Sequence, residues 1–369
     1  MRWLGFTLLA AGCVAAACWG PAQLWPTTAA PDGVYGRAGD GPSGLALLSA
    51  QAEKGALQAD VPRPASAASP PSPASPPVTA VAEPFSPEVA EAACTTLLPR
   101  LPGLSRAQCV ATRLQASGAL SRQGAPLYWR DVPSHAGAAA KGEPAAEPLR
   151  VLVVGAMHGD ELTAASLALR WIGMAAAEGA ADAGEPAPVH WRFIPVLNPD
   201  GLLAPKPTRV NAGGVDLNRN FPTPGWAEEA PVYWEKRTRK DPRRWPGHTP
   251  LSEPESRFLH QQMDQFQPQL VVSIHAPYGV LDFDGPHDPP LRLGRLRMDK
   301  LGVFPGSLGH YGGLHRGVPV VTIELEHALR MPPDAEVRAM WRDLRHWMNT
   351  RLLEGADAVA GVKPPGLQR

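Results

Sequence analysis

The chain has 369 residues, of which 44% are hydrophobic and 19% charged, enough apolar material for one large domain or two ordinary ones. Lys plus Arg and Asp plus Glu each number 35, so the formal net charge is zero. That balance argues against a general nucleic-acid or acidic-membrane binder, which needs excess basic charge.

The first residues, MRWLGFTLLAAGCVAAACWG, place one Arg before an apolar stretch that ends in small residues. This is the pattern of a signal peptide, or a membrane anchor, over residues 1–19. It predicts an exported, periplasmic protein, with membrane contact only through this segment if it is retained. Lipidation at Cys13 or Cys18, and a cytoplasmic location, are the alternatives. Residues 20–85 are rich in Pro, Ala and Ser, as in RPASAASPPSPASPPVTAVAEP, and show no apolar period. Such a stretch cannot bury enough surface to offset its ordering entropy, so it reads as a disordered linker. Residues 86–117 read as a small helical pre-domain that begins with Ser86, Pro87 and Glu88. Cys94 and Cys109 are an even pair in an exported context and so are expected to form a disulfide.

From 118 to 358 the pattern is α/β, with a flexible tail expected over 359–369. The runs PLYW, VLVVG, WRFIPVLN, LVVSIHA and PVVTIELE read as strands of a mixed, largely parallel sheet flanked by helices. Residues 161–177 carry a helical period. LSEPESRFLHQQMDQF has Glu255 three residues after Ser252, the signature of a capping box. In DAEVRAMWRDLRHWMNTRLL, Val337, Met340, Trp341, Leu344, Trp347 and Met348 form one core-facing stripe.

Three strand ends carry chemistry. GAMHGDEL holds His158 and Glu161, SIHAP holds His275, and VVTIELEH holds Glu324. In an α/β sheet ligands sit beyond the carboxyl ends of the strands. Two histidines and one carboxylate suit a catalytic zinc that keeps a position open for water, with Glu324 as general base. Each residue alone is weak, since the chain has 11 histidines and no H-E-x-x-H. Between the proposed ligands lie NPDG, at 198–201, and TRVNAGGVDLNRNFP, at 208–222. The second concentrates Arg209, Asn218 and Arg219, donors suited to carboxylate or carbonyl oxygens.

Taken in order, GAMHGDE, NPDG, GVDLNRNFP, SEPE, SIHAP, PGSLG and VPVVTIEL resemble the zinc carboxypeptidase (funnelin) family, and within it the murein peptide amidase branch. The resemblance covers roughly residues 118–350. It implies one Zn2+ per catalytic domain, held by His158, Glu161 and His275, with Glu324 as base and then acid. It implies that Arg209 polarises the scissile carbonyl, that Asn218 and Arg219 bind the adjacent carboxylate, and that Asp216 braces a ligand or the turn. The implied reaction is hydrolysis of the γ-D-glutamyl–diaminopimelate amide of a cell-wall muropeptide. The alternatives are a general carboxypeptidase and a non-catalytic peptide-binding module. A serine hydrolase is disfavoured because PGSLG lacks the first Gly of the nucleophile elbow.

There are departures from the family. Phe304 stands near the place of a mobile-loop tyrosine, with Tyr311 further along. Glu326 shares a strand side with Glu324 and competes for the role of base. His327 reads as a structural partner. Tyr278, Asp282 and Asp284 either line a specificity pocket or belong to an ordinary turn.

Overall fold

The computed structural model describes residues 86–134, 147–180 and 188–353. The readings for residues 1–85 and 359–369 lie outside the described residues. Helix α1 (Pro87–Leu97) starts where Ser86 accepts the Val89 N–H at 3.3 Å, with Pro87 in the first turn. A short helix α2 (Arg106–Ala111) follows, then the antiparallel pair β1 (Gln115–Leu120) and β2 (Pro126–Val132). Next come β3 (Leu149–Val154), helix α3 (Leu162–Ala180), β4 (Val189–Ile194) and the short helix α4 (Pro199–Leu203). Helices α5 (Trp226–Lys236) and α6 (Pro254–Phe266) precede β5 (Leu270–His275) and β6 (Val280–Asp284). The small hairpin β7 (Arg292–Leu293) and β8 (Leu296–Arg297), then β9 (Val320–Glu324) and α7 (Asp334–Trp347), complete the order.

The seven-stranded sheet runs β1-β2-β4-β3-β5-β9-β6. Its centre, β4-β3-β5-β9, is parallel, and β2 and β6 flank it antiparallel. All six residues of β5 are buried, as a strand covered on both faces requires. Along β9 the side chains alternate. Val321, Ile323 and Leu325 join the core under α3 and α7. Val320 joins the opposite core with Phe221, Phe258 and Tyr311. Thr322 and Glu324 share that second face by alternation. The α7 stripe is buried as expected, from Val337 to Met348.

The helical segment 86–117 is not a separate pre-domain. Ala93, Leu97, Leu101 and Leu114 pack in the same core as Val151, Leu167 and Trp171, and segment and sheet fall in one compact unit. Strand β1 also crosses the expected boundary. Cys94 and Cys109 form a disulfide across a separation of 15 residues. Replacing both by Ser is expected to cost about 2–3 kcal/mol, seen as a lower urea midpoint. Thiol labelling of the unreduced protein should find neither cysteine reactive, and two labelled thiols there would refute the bond.

The capping box at Ser252 and Glu255 does not form. Glu253 occupies the cap position and Pro254 the first turn, with no side-chain cap bond. Glu255 instead accepts from the Arg122 N–H at 2.9 Å and from Asn211 Nδ2 at 3.0 Å. Ser252 Oγ donates to Glu253. Tertiary donors win these groups from the helix end.

Candidate active site

The chain leaves β3, crosses to β4 on one side, and returns to β5 on the other. A crevice opens at such a reversal, beyond the carboxyl ends of the strands. His158 hangs from the turn after β3, and Ala156 in that turn takes a positive φ of 40°. The turn can lie flat on the NPDG segment because residue 159 is glycine. A Cβ there would sit 2.3 Å from the Gly201 carbonyl carbon. NPDG is scaffold: Asn198 Oδ1 accepts the Gly201 N–H at 2.8 Å, and its Nδ2 donates to the Arg209 carbonyl at 3.1 Å. Asp200 accepts from Ser121 Oγ and from the Gln123 N–H.

His158, Glu161 and His275 converge, and all three are buried. His158 Nδ1 lies 2.8 Å from Glu161 Oε1 and 3.1 Å from His275 Nδ1, which is 3.0 Å from Glu161 Oε2. Asp216 Oδ1 lies 3.1 Å from His158 Nε2. A carboxylate only accepts, so Nε2 carries the proton and Nδ1 presents a lone pair. Ser273 Oγ holds His275 Nε2 at 2.9 Å, turning its Nδ1 to the same point. Two imidazole nitrogens and a carboxylate at this spacing fit a tetrahedral site with Zn–N bonds of about 2.0–2.1 Å. Burial pushes the Glu161 carboxyl up, but the two imidazoles outweigh it and hold the group far below its ordinary range.

Glu324 pairs in register with His275 across β5 and β9, which sets the two side chains side by side. It is buried, and its Oε2 has no hydrogen-bond partner. Burial, and then the nearby Glu161 carboxylate, push its carboxyl up to about 8. Two acids facing one buried point fit a cation there. Glu326 is exposed and packs against Gly279, so it is not the acid aimed at the ligand cluster.

Arg209 is fixed by Asp216, whose Oδ2 accepts from Nε at 3.1 Å and lies 3.0 Å from Nη2. Its Nη1 reaches 3.1 Å from His158 Nδ1, at the edge of the ligand cluster. Asp216 therefore braces a ligand and an arginine together. Arg219 is buried, donates from Nη1 to the Asn218 carbonyl, and has a buried Nε with no partner. Its guanidinium lies 4.4 Å over the Phe304 ring. Burial pushes it down to about 10, with Arg209 adding repulsion. A buried cation with an unused donor is built for an anion. Asn218 Oδ1 accepts the Leu308 N–H at 2.8 Å, which leaves the side-chain NH2 as its donor.

Asp282 and Asp284 lie on one side of β6, and the register with β9 puts that side with Glu324. A Cβ on Gly306 would meet the Arg219 carbonyl at 2.0 Å, and one on Gly309 would meet Asp284 Oδ2 at 2.0 Å. The segment Gly306–Gly309 therefore touches Arg219 on one side and Asp284 on the other. Burial, then repulsion from Asp282, pushes Asp284 up to about 6, with Lys300 opposing the rise. Tyr278 is 60% exposed, beside Glu324 through its backbone N–H. Tyr311 is buried, stacked on Phe221 and bonded to His260 and Arg316. It takes no part in the site. His327 uses its carbonyl to hold Thr163 Oγ1 at 2.7 Å, next to the start of α3. Ser307 Oγ accepts the His310 N–H.

The fold thus gathers His158, Glu161 and His275 into a buried group that could hold a metal ion. The profile of the family described as "Zinc carboxypeptidase" matches residues 111–284, which include His158, Glu161, Arg209, Asn218, Arg219 and His275. The chain is similar to murein peptide amidase A of Escherichia coli (strain K12), 34% identical over 164 residues, 43% of this chain and 57% of that protein. Murein peptide amidase A of Vibrio campbellii is 33% identical over 146 residues, 35% of this chain and 54% of the relative. The aligned stretch thus spans little more than half of these curated relatives. Among solved structures, murein-tripeptide amidase MpaA of Escherichia coli O157 superposes with a TM-score of 0.41 at 23% identity, covering 68% of this chain and 93% of that one. Carboxypeptidase A of Helicoverpa armigera gives 0.49 at 15%, covering 75% and 82%.

Proposed function

We propose that this chain is an exported zinc-dependent hydrolase that cuts the γ-D-glutamyl–diaminopimelate amide of peptidoglycan peptides. The observation that carries the substrate side is the buried Arg219 with its unused Nε, separated from Asp284 by the Gly306–Gly309 segment. Together they suit a leaving residue with a carboxylate at the scissile bond and an ammonium further out. Lys300, which opposes the rise of both acids, suits the distal carboxylate of diaminopimelate. The similarity to murein peptide amidases supports the same reading. The signal-like first residues and the disulfide support export. Among the described residues no helix is long and apolar enough to cross a membrane.

His158, Glu161 and His275 would hold the zinc, which when bound supplies Lewis acidity to a carbonyl and an acidified water. Arg219 and Asn218 fix the substrate by its carboxylate. Arg209 Nη1 donates to the carbonyl oxygen as it gains negative charge, the kind of stabilisation worth most in a buried site. Glu324 removes a proton from the attacking water and delivers it to the leaving nitrogen.

The test uses zinc-loaded full chain and three peptides. L-Ala-γ-D-Glu-diaminopimelate should be preferred over the same tripeptide ending in Lys by roughly two- to fivefold in kcat/KM, the worth of an ion pair between the distal carboxylate and the exposed Lys300. Preference for an ordinary peptide with a hydrophobic carboxyl-terminal residue would make the chain a general carboxypeptidase instead.

A further inference from the structure

A second cavity of about 200 Å³ begins at the residue after Glu324. Its floor is apolar, from Leu296, Leu325, Met331 and Met340, and its rim carries Glu326 and Arg330. Leu325 points to the α7 side of the sheet, opposite to Glu324. The cavity therefore lies away from Arg219, Phe304 and Asp284, which sit on the other face. It is still next to the site. Gly279 packs on Glu326 while the neighbouring Tyr278 N–H meets Glu324. Thr163, two residues past Glu161, is bonded to the His327 and Ala328 carbonyls of the same loop.

Two of the rim charges are spent. Arg295 and Glu336 pair with each other at 3.3 Å. Arg330 touches His327 and reaches no carboxylate among the described residues, and both Arg330 and Glu326 are exposed. One cation and one anion therefore stand over an apolar floor. A substrate whose leaving-group carboxylate lies at Arg219 and whose scissile bond lies at Glu324 would have its acyl half within reach of this cavity, which begins at the next residue. We propose that this cavity binds that acyl half as a zwitterion. Arg330 takes the α-carboxylate of a γ-linked glutamyl residue, Glu326 takes the free ammonium of the amino acid before it, and a small apolar side chain rests on Leu325 and Leu296. This rests on the proposed γ-glutamyl substrate. It adds a requirement that the leaving-group residues do not impose: a free amine and a free α-carboxylate on the acyl side.

The test measures kcat/KM of the full chain on L-Ala-γ-D-Glu-diaminopimelate, on its α-carboxamide (the second residue as isoglutamine), and on its N-acetyl form. The intact chain should lose roughly two- to fivefold on each modified peptide, because each removes an ion pair with an exposed partner. Arg330→Gln should lose about as much on the parent and then treat acid and amide alike. Glu326→Gln should do the same for amine and N-acetyl. Both side chains are exposed, so neither change threatens folding. Equal cleavage of acid and amide by the intact chain, or a preference that survives Arg330→Gln, overturns the cavity assignment and leaves the proposed reaction standing. Failure to cleave any of the tripeptides overturns both.

Discussion

Glu324→Gln is expected to keep the metal and to lose turnover by a factor on the order of 10²–10⁴, the usual contribution of a positioned acid–base group. The change keeps size and shape and removes only the capacity to take a proton. The setting of Glu324 is why the loss should be large. Its carboxyl is buried, one oxygen has no partner, and it lies beside His275 in register across the sheet. Glutamine there offers an amide that neither accepts the proton of water nor returns one to the leaving nitrogen. His158→Ala and His275→Ala should instead lose metal and activity together, since each removes one of three donors that meet at one point. Metal content after dialysis separates the two classes. If Glu324→Gln kept near-normal turnover while Glu326→Gln was dead, the base assignment would be wrong, although Glu326 is exposed and turned to Gly279.

Most of what positions the ligands is legible in sequence, for a physical reason. Strands buried on both faces leave apolar runs; β5 ends on His275 and β9 on Glu324, and the turn after β3 carries His158, polar residues that have no place in a core. The braces are less legible. Asp216 is one polar residue in a polar loop until the fold brings His158 to it from far along the chain, beside its near neighbour Arg209. Ser273 had a signal, being two residues before His275 on the same strand face. Helix α1 carries Ala90, Ala93, Cys94 and Leu97 on one face, but nothing local says which core that face joins. The fold gives Ala93 and Leu97 to the main core, and a separate pre-domain vanishes. The capping box failed similarly, because Ser252 and Glu255 have the right spacing and Asn211 outcompetes the helix end for Glu255. Phe304 was placed near an expected tyrosine by order alone, and its ring proves to cover Arg219.

Arg219→Ala should lower kcat/KM for any carboxylate-bearing substrate by about 2–3 kcal/mol, roughly thirty- to two-hundredfold. Arg219 is held under Phe304 with one donor on the Asn218 carbonyl and a buried Nε unsatisfied. Leaving that donor unpaired costs free energy in the empty site, and a substrate carboxylate recovers it on binding. Lys at 219 would keep the charge and lose the fork, so Arg219→Lys should restore only part of the loss. The control is a substrate whose leaving residue carries a carboxamide in place of the carboxylate beside the scissile bond. It should be poor for the intact chain, and Arg219→Ala should change it little. The Trp226 indole bonds the backbone carbonyl of residue 219, so that anchor survives the substitution. A drop of equal size on both substrates would make Arg219 a structural residue, and the carboxylate requirement would then have to come from elsewhere.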